Sequence, residues 1–123
     1  AKLAAMLLAD NGIQIMASFV LGLPGETEDS LAKTLEFAYW LKKLGNIETI
    51  SGSVIIPLPG SHVFSLLKKA YPHKYENIDL FDTEEARNDW MSSYTSVSLE
   101  HVYSILPQLL ETGKIGSSLA RPL

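Results

Sequence analysis

The chain holds 123 residues, the length of one domain, and its 46% apolar and 20% charged residues describe a globular protein, not a disordered or fibrous one. A net charge of −4 with no basic run longer than two residues argues against a nucleic-acid surface, and the absence of cysteine excludes disulfides, thiol catalysis and thiolate metal sites on this chain. No apolar run approaches the roughly 20 residues of a membrane helix and no signal pattern opens the sequence, so a soluble, cytoplasmic protein is the expectation.

Residues 1–10 carry Leu3, Ala4, Leu7 and Leu8 at helical spacing, and Asn11-Gly12 stops the stripe. No capping side chain precedes that helix, which reads as the continuation of a longer chain cut upstream. Residues 13–21 are short, β-branched and nearly continuously apolar, as expected of a parallel strand covered on both faces. Gly22-Leu23-Pro24-Gly25 ends it, because Pro24 lacks the N–H that a ladder needs.

Thr27 reads as an N-cap, with Glu28 and Asp29 in a first turn where the helix dipole favours anions. Leu31, Leu35, Ala38, Leu41 and Leu44 then recur at helical spacing before Gly45. A second strand is expected over residues 49–56, ended by Pro57-Leu58-Pro59-Gly60, and Ser61 caps a helix that runs to Ala70 before Pro72. Residues 73–82 form a connector, and two more helices follow, over residues 83–94 and from Ser96 or Ser98 to Gly113, with Pro107 kinking the last.

The order helix, strand, helix, strand, helix implies an α/β chain with two parallel strands in a β-α-β unit, residues 1–70, followed by a helical extension, residues 71–123. In such sheets ligands bind at the carboxyl ends of the strands, here two Pro/Gly turns. Glycine at such a turn lets a ligand approach the main chain, although tight strand-to-helix connections need these residue types anyway. A dinucleotide fingerprint fails because Pro24 and Thr27 stand at glycine positions, and no Walker P-loop is present.

The run Gly12-Ile13-Gln14-Ile15, Phe19-Val20-Leu21-Gly22-Leu23-Pro24-Gly25-Glu26-Thr27-Glu28-Asp29-Ser30-Leu31, Thr34 and Phe37-Ala38 strongly resembles the fifth strand and following helix of radical S-adenosylmethionine enzymes. Ile55-Ile56-Pro57-Leu58-Pro59-Gly60-Ser61 with Phe64 resembles the sixth strand and its exit, Ser61 replacing the family's usual threonine. The nearest branch carries an N-terminal cobalamin-binding domain and includes anaerobic Mg-protoporphyrin monomethyl ester cyclases. The resemblance covers residues 1–67.

That resemblance implies a fragment of a partial (β/α) TIM-like barrel from an iron–sulfur oxidoreductase. A 4Fe-4S cluster held by three cysteines would cleave S-adenosylmethionine to a radical that abstracts hydrogen from a small-molecule substrate, and the branch adds cobalamin. By the same resemblance Val20, Leu21 and Gly22 on one strand end, and Ile56, Pro57 and Leu58 on the other, contact the cofactor's adenosine through main chain and apolar surface. The cluster cysteines and the glycine-rich second-strand segment are absent from these residues. The expectation is therefore an inactive fragment whose partner is the rest of its own barrel, and which self-associates through open strand edges when isolated.

Other residues invite chemical readings with plainer alternatives. Glu26 stands where a ligand amino group would bind, or serves as a first-turn acid. His62, His73 and His101 have no metal-ligand spacing. Ser18 and Ser53 lie mid-strand, facing a lumen or packed within it. Tyr39, Trp40 and Trp90 read as packing aromatics, and Leu99, Val102, Tyr103, Leu106, Leu109 and Leu110 form a stripe that docks on the barrel helices or on a partner chain. Two rival functions are a nucleotide-binding α/β module without catalysis and an interaction domain built on the C-terminal helices.

Overall fold

The computed structural model describes residues 1–111. Five helices and two strands follow in the order α1 (Lys2–Asp10), β1 (Ile15–Leu21), α2 (Glu28–Lys43), β2 (Ile47–Val54), α3 (His62–Ala70), α4 (Thr83–Tyr94) and α5 (Leu99–Glu111), with a short 3-10 turn over Ile78–Leu80. The fold is a small α/β unit. Among the described residues no helix is long and apolar enough to cross a membrane.

The two strands pair in parallel, with Ala17 opposite Ile50 and Leu21 opposite Val54. Both strands are displaced from their sequence-based bounds, β1 starting at Ile15 and β2 running from Ile47 to Val54. The reason lies in the connections. Gly45, at φ +82°, turns the chain out of α2, and the carbonyl of Asn46 accepts the N–H of Ile15 at 2.8 Å, so pairing begins at that point. At the other end Ile55 donates to the Leu21 carbonyl at 2.8 Å, after which β1 offers Ile56 no partner.

The sheet is one-sided, which corrects the expectation of strands covered on both faces. Ile15, Ala17, Phe19 and Leu21 point to the helices, whereas Met16, Ser18 and Val20 are exposed. Phe19 meets Phe37 of α2 edge-on, with ring centroids 6.2 Å apart, and Phe37 stacks on Trp40. Opposite Phe19 in the ladder stands Gly52, over which α5 lies. A Cβ at Gly52 would come within 2.8 Å of the Leu109 Cδ2 and 3.2 Å of the Leu106 Cδ1. The glycine thus permits close helix-on-strand packing, and the apolar stripe of α5 covers this chain's own β2 and α2.

Capping explains the helix starts. Thr27 Oγ1 accepts from the Ser30 N–H at 3.0 Å while the Ser30 hydroxyl accepts from the Thr27 N–H at 2.9 Å, a reciprocal box. Ser61 accepts from the Phe64 N–H at 3.1 Å, Asp82 from the Glu85 N–H at 3.1 Å, and Ser98 from the His101 N–H at 3.1 Å. α1 has no such cap and buries only Ala5, leaving Leu3, Met6 and Leu7 exposed. Pro107 lies within α5, and the expected end of that helix near Gly113 falls outside the described residues.

One apolar core joins the strands to the C-terminal helices, with Leu21, Ile50, Trp90 and Leu109 all buried. If α5 depends on close approach at Gly52, Gly52→Ala should lower stability by about 1–3 kcal/mol through overpacking. Urea unfolding will show this as a lower midpoint with an unchanged slope. Ser51→Ala, in the adjoining position on the open face, should stay within about 0.5 kcal/mol of wild type.

Candidate site at the carboxyl end of the sheet

Both strands run the same way, so their carboxyl ends, and the turns that follow, lie side by side. Gly22 follows β1 at φ +94°, a conformation costly to residues with a Cβ. A Cβ there would also lie 3.1 Å from both Ile55 Cγ2 and the Met91 Sδ. Glycine is thus required by conformation and by packing.

The main chain of Gly22 is fully engaged within the protein. Its N–H donates to the Glu26 Oε1 at 3.0 Å, and its carbonyl accepts the Trp90 indole N–H at 2.7 Å in a buried contact. The other Glu26 oxygen accepts from the Ser30 hydroxyl. Glu26 therefore stands outside the first turn of α2 and stitches the β1 turn to the start of that helix. The turn is also clasped by the end of α4 and the residues after it: Gly25 donates to the Tyr94 carbonyl and Ser96 to the Glu26 carbonyl, each at 2.8 Å.

The six residues singled out for adenosine contact divide by exposure. Leu21, Gly22 and Pro57 are buried, while Val20, Ile56 and Leu58 present apolar side chains to solvent at 48%, 36% and 51% exposure. The exposed strand-end surface is thus a set of branched aliphatic groups, while Gly22 packs against Ile55 and Met91. The chain after β2 turns tightly, Leu58 donating to the Ile56 carbonyl at 2.8 Å and Gly60 standing at φ +94°.

Arg87 of α4 closes the outer edge of β2. Because Leu21 pairs with Val54, and Ile55 donates back to Leu21, the Val54 carbonyl points away from β1. Arg87 Nη2 donates to it at 3.2 Å, and Nε donates to the Ile55 carbonyl at 3.3 Å. Nη1 donates to the Tyr103 hydroxyl at 3.2 Å and to the Glu84 Oε1 at 3.1 Å, and the Tyr103 hydroxyl donates to that same oxygen at 2.5 Å. The Tyr103 hydrogen bond, then Arg87, holds the Glu84 carboxyl below its usual range, and burial followed by the Glu84 contact raises the Tyr103 hydroxyl. A cavity of about 420 Å³ opens beside this cluster, lined by Ser53, Val54, Glu84, Arg87, Tyr103 and Leu106.

A second polar cluster joins α4 to the connector after α3. Lys74 Nζ lies 2.8 Å from Glu85 and 2.7 Å from Asp89, and the buried Tyr75 donates its hydroxyl to Asp89. Hydrogen bonds to Asp89 and Glu85 raise the Lys74 ammonium, while burial and then the Asp89 contact raise the Tyr75 hydroxyl.

The remaining candidates are scattered. The Ser18 and Ser51 hydroxyls sit 3.0 Å apart on the open face, and Ser53 lines the cavity. His73 faces Glu76 at 3.2 Å, His101 is 3.9 Å from Glu28, and His62 is exposed. Among the described residues no three His, Asp or Glu side chains gather as a metal site. The Arg87 cluster and the indole bond of Trp90 were not anticipated. Their one sequence signal is Glu84 and Arg87 at i, i+3 on a helix, which says nothing about the strand carbonyls they meet. No protein-family model matches the chain, and no curated protein matches it.

Lys74 and Tyr75 hold their protons more tightly folded than unfolded, so the stability they contribute is complete below the unfolded-state values and lost as pH rises through the folded ones. The urea midpoint should therefore fall above about pH 10, where unfolded tyrosine and lysine begin to titrate. Tyr75→Phe should flatten that fall. A flat wild-type profile over this interval would refute the coupling.

Proposed function

We propose that this chain is the closing part of a radical S-adenosylmethionine iron–sulfur oxidoreductase barrel of the cobalamin-binding branch, inactive by itself. The observation that carries the reading is the pairing of Leu21 with Val54, which puts the Gly22 and Pro57 turns at one end of a parallel, one-sided sheet. Helices cover one face, and the other carries Met16, Ser18 and Val20 in the open, as a slice through a barrel wall would.

The residues fit the cofactor in part. Val20, Ile56 and Leu58 offer aliphatic surface that would cover the adenosine and exclude water, while Leu21, Gly22 and Pro57 are buried. Gly22 has no main-chain group left for a ligand. With no cysteine the chain supplies no cluster thiolate, so those ligands would belong to the rest of the barrel. The cluster and S-adenosylmethionine supply hydrogen-abstraction chemistry when bound. The unpaired outer edge of β1 is where the preceding barrel strand would add, and a second copy of the chain would compete for it when the fragment is isolated. Helices α4 and α5 would close the last strand from outside, in a cytoplasmic protein. The second reading, a small α/β module that binds a nucleotide at the paired Pro/Gly turns, is weakened by the engagement of the Gly22 main chain.

The reading frame upstream of Ala1 should encode C-x-x-x-C-x-x-C. In the full-length protein, purified anaerobically, Val20→Asp should raise KM for S-adenosylmethionine at least about tenfold, the equivalent of about 1.4 kcal/mol. It should leave the visible spectrum of the cluster unchanged. A frame without the cysteines, or an unchanged KM, defeats the assignment.

A further inference from the structure

Arg87 has an arrangement that closing a strand edge does not require. Two sides of its guanidinium are fixed, Nε by the Ile55 carbonyl and Nη2 by the Val54 carbonyl. The third side, Nη1, and the hydroxyl of Tyr103 converge on one carboxylate oxygen, Oε1 of Glu84. A guanidinium and a phenol held at fixed spacing form a preorganised carboxylate receptor, since charge-assisted bonds to such groups are the strong ones.

The carboxylate now in that receptor comes from the same helix, one turn before Arg87, on a side chain that is largely in water. The Glu84 side chain is 56% exposed while that of Arg87 is 17% exposed, so Glu84 can swing into water and Arg87 cannot. Beside it lies the cavity of about 420 Å³, within the size range of small-molecule pockets, roughly 300–1,000 Å³. Val54 and Leu106 supply apolar wall and Ser53 a hydroxyl. The cavity lies at the carboxyl end of β2, where parallel sheets place ligands.

We propose that this cavity binds a small carboxylic acid with an apolar body, its carboxylate taking the place of Glu84 on Arg87 and Tyr103. Glu84 is then an internal competitor that keeps the receptor neutral when no ligand is bound. The site lies on the side of β2 away from β1, and its existence does not depend on the adenosine reading above. Neutral isosteres lack the charge that Arg87 requires. The aliphatic wall takes a ring or short chain better than a bare tetrahedral anion.

Benzoate serves as the probe, with benzamide and inorganic phosphate as controls, followed by amide chemical shifts of residues 1–123. Benzoate should shift Ser53, Val54, Arg87 and Tyr103 with millimolar affinity, whereas benzamide and phosphate should not. Glu84→Gln removes the competitor's charge and should tighten benzoate at least about fivefold. Arg87→Lys should abolish binding. Because loss of the strand contacts could unfold that variant, Tyr103→Phe provides a second test and should weaken benzoate several-fold while the strand contacts of Arg87 stay intact. Equal binding of benzoate and benzamide, no shift at these residues, or an E84Q variant no tighter than wild type would overturn the proposal.

Discussion

At the end of β1 the Gly22 carbonyl leaves the sheet and accepts the indole N–H of Trp90 at 2.7 Å, and that contact anchors α4 to the strand end. A buried carbonyl without a partner costs about 1–3 kcal/mol, a large share of a small domain's stability. The indole that satisfies it sits 68 residues away in sequence. Trp90 is itself fully buried, so the polar anchor and a large apolar contact coincide in one side chain. With Trp90 seated, the next residue brings its sulfur against Gly22, and the Tyr94 carbonyl reaches Gly25. One turn earlier Arg87 meets the edge of β2.

The weakly apolar helix α4 is therefore held on several sides at once. Ala86, Trp90 and Met91 enter the core. Glu84 and Arg87 engage β2 and Tyr103 of α5, while Glu85 and Asp89, four residues apart and therefore on one face, engage Lys74 and Tyr75. Separating the two charge clusters on different faces keeps each cation beside its own carboxylates. The more exposed pairs contribute little to stability, and their effect is to set orientation.

The sheet shows what a two-stranded parallel arrangement leaves undone. Its helix-facing side is complete, because Gly52 lets α5 settle close and Phe19 meets Phe37. Its other face keeps Met16 and Val20 exposed around a Ser18–Ser51 pair, and among the described residues the outer edge of β1 has no ladder partner. Isolated pairs of strands are marginal, and the stability here comes from helices packed on a single side.

The helices, both strands and their order were legible in the residues, because these features are local. Thr27, Ser61 and the glycines at 12 and 45 act within one turn of where they stand, and the apolar spacing of α2 and α5 is a property of each helix alone. Strand ends were legible only to within two residues, because Asn46 and Ile55 pair according to what lies opposite. Tertiary structure alone decided the use of the Gly22 carbonyl, Trp90 and Arg87. A sequence shows that glycine can expose main chain and that arginine is charged. Only distance shows that Trp90 has already taken the Gly22 carbonyl, and that Arg87 ends on the Val54 and Ile55 carbonyls beside a cavity. Hydrogen bonds form over about 3 Å, and residues thirty to seventy positions apart reach that distance only once the chain has folded.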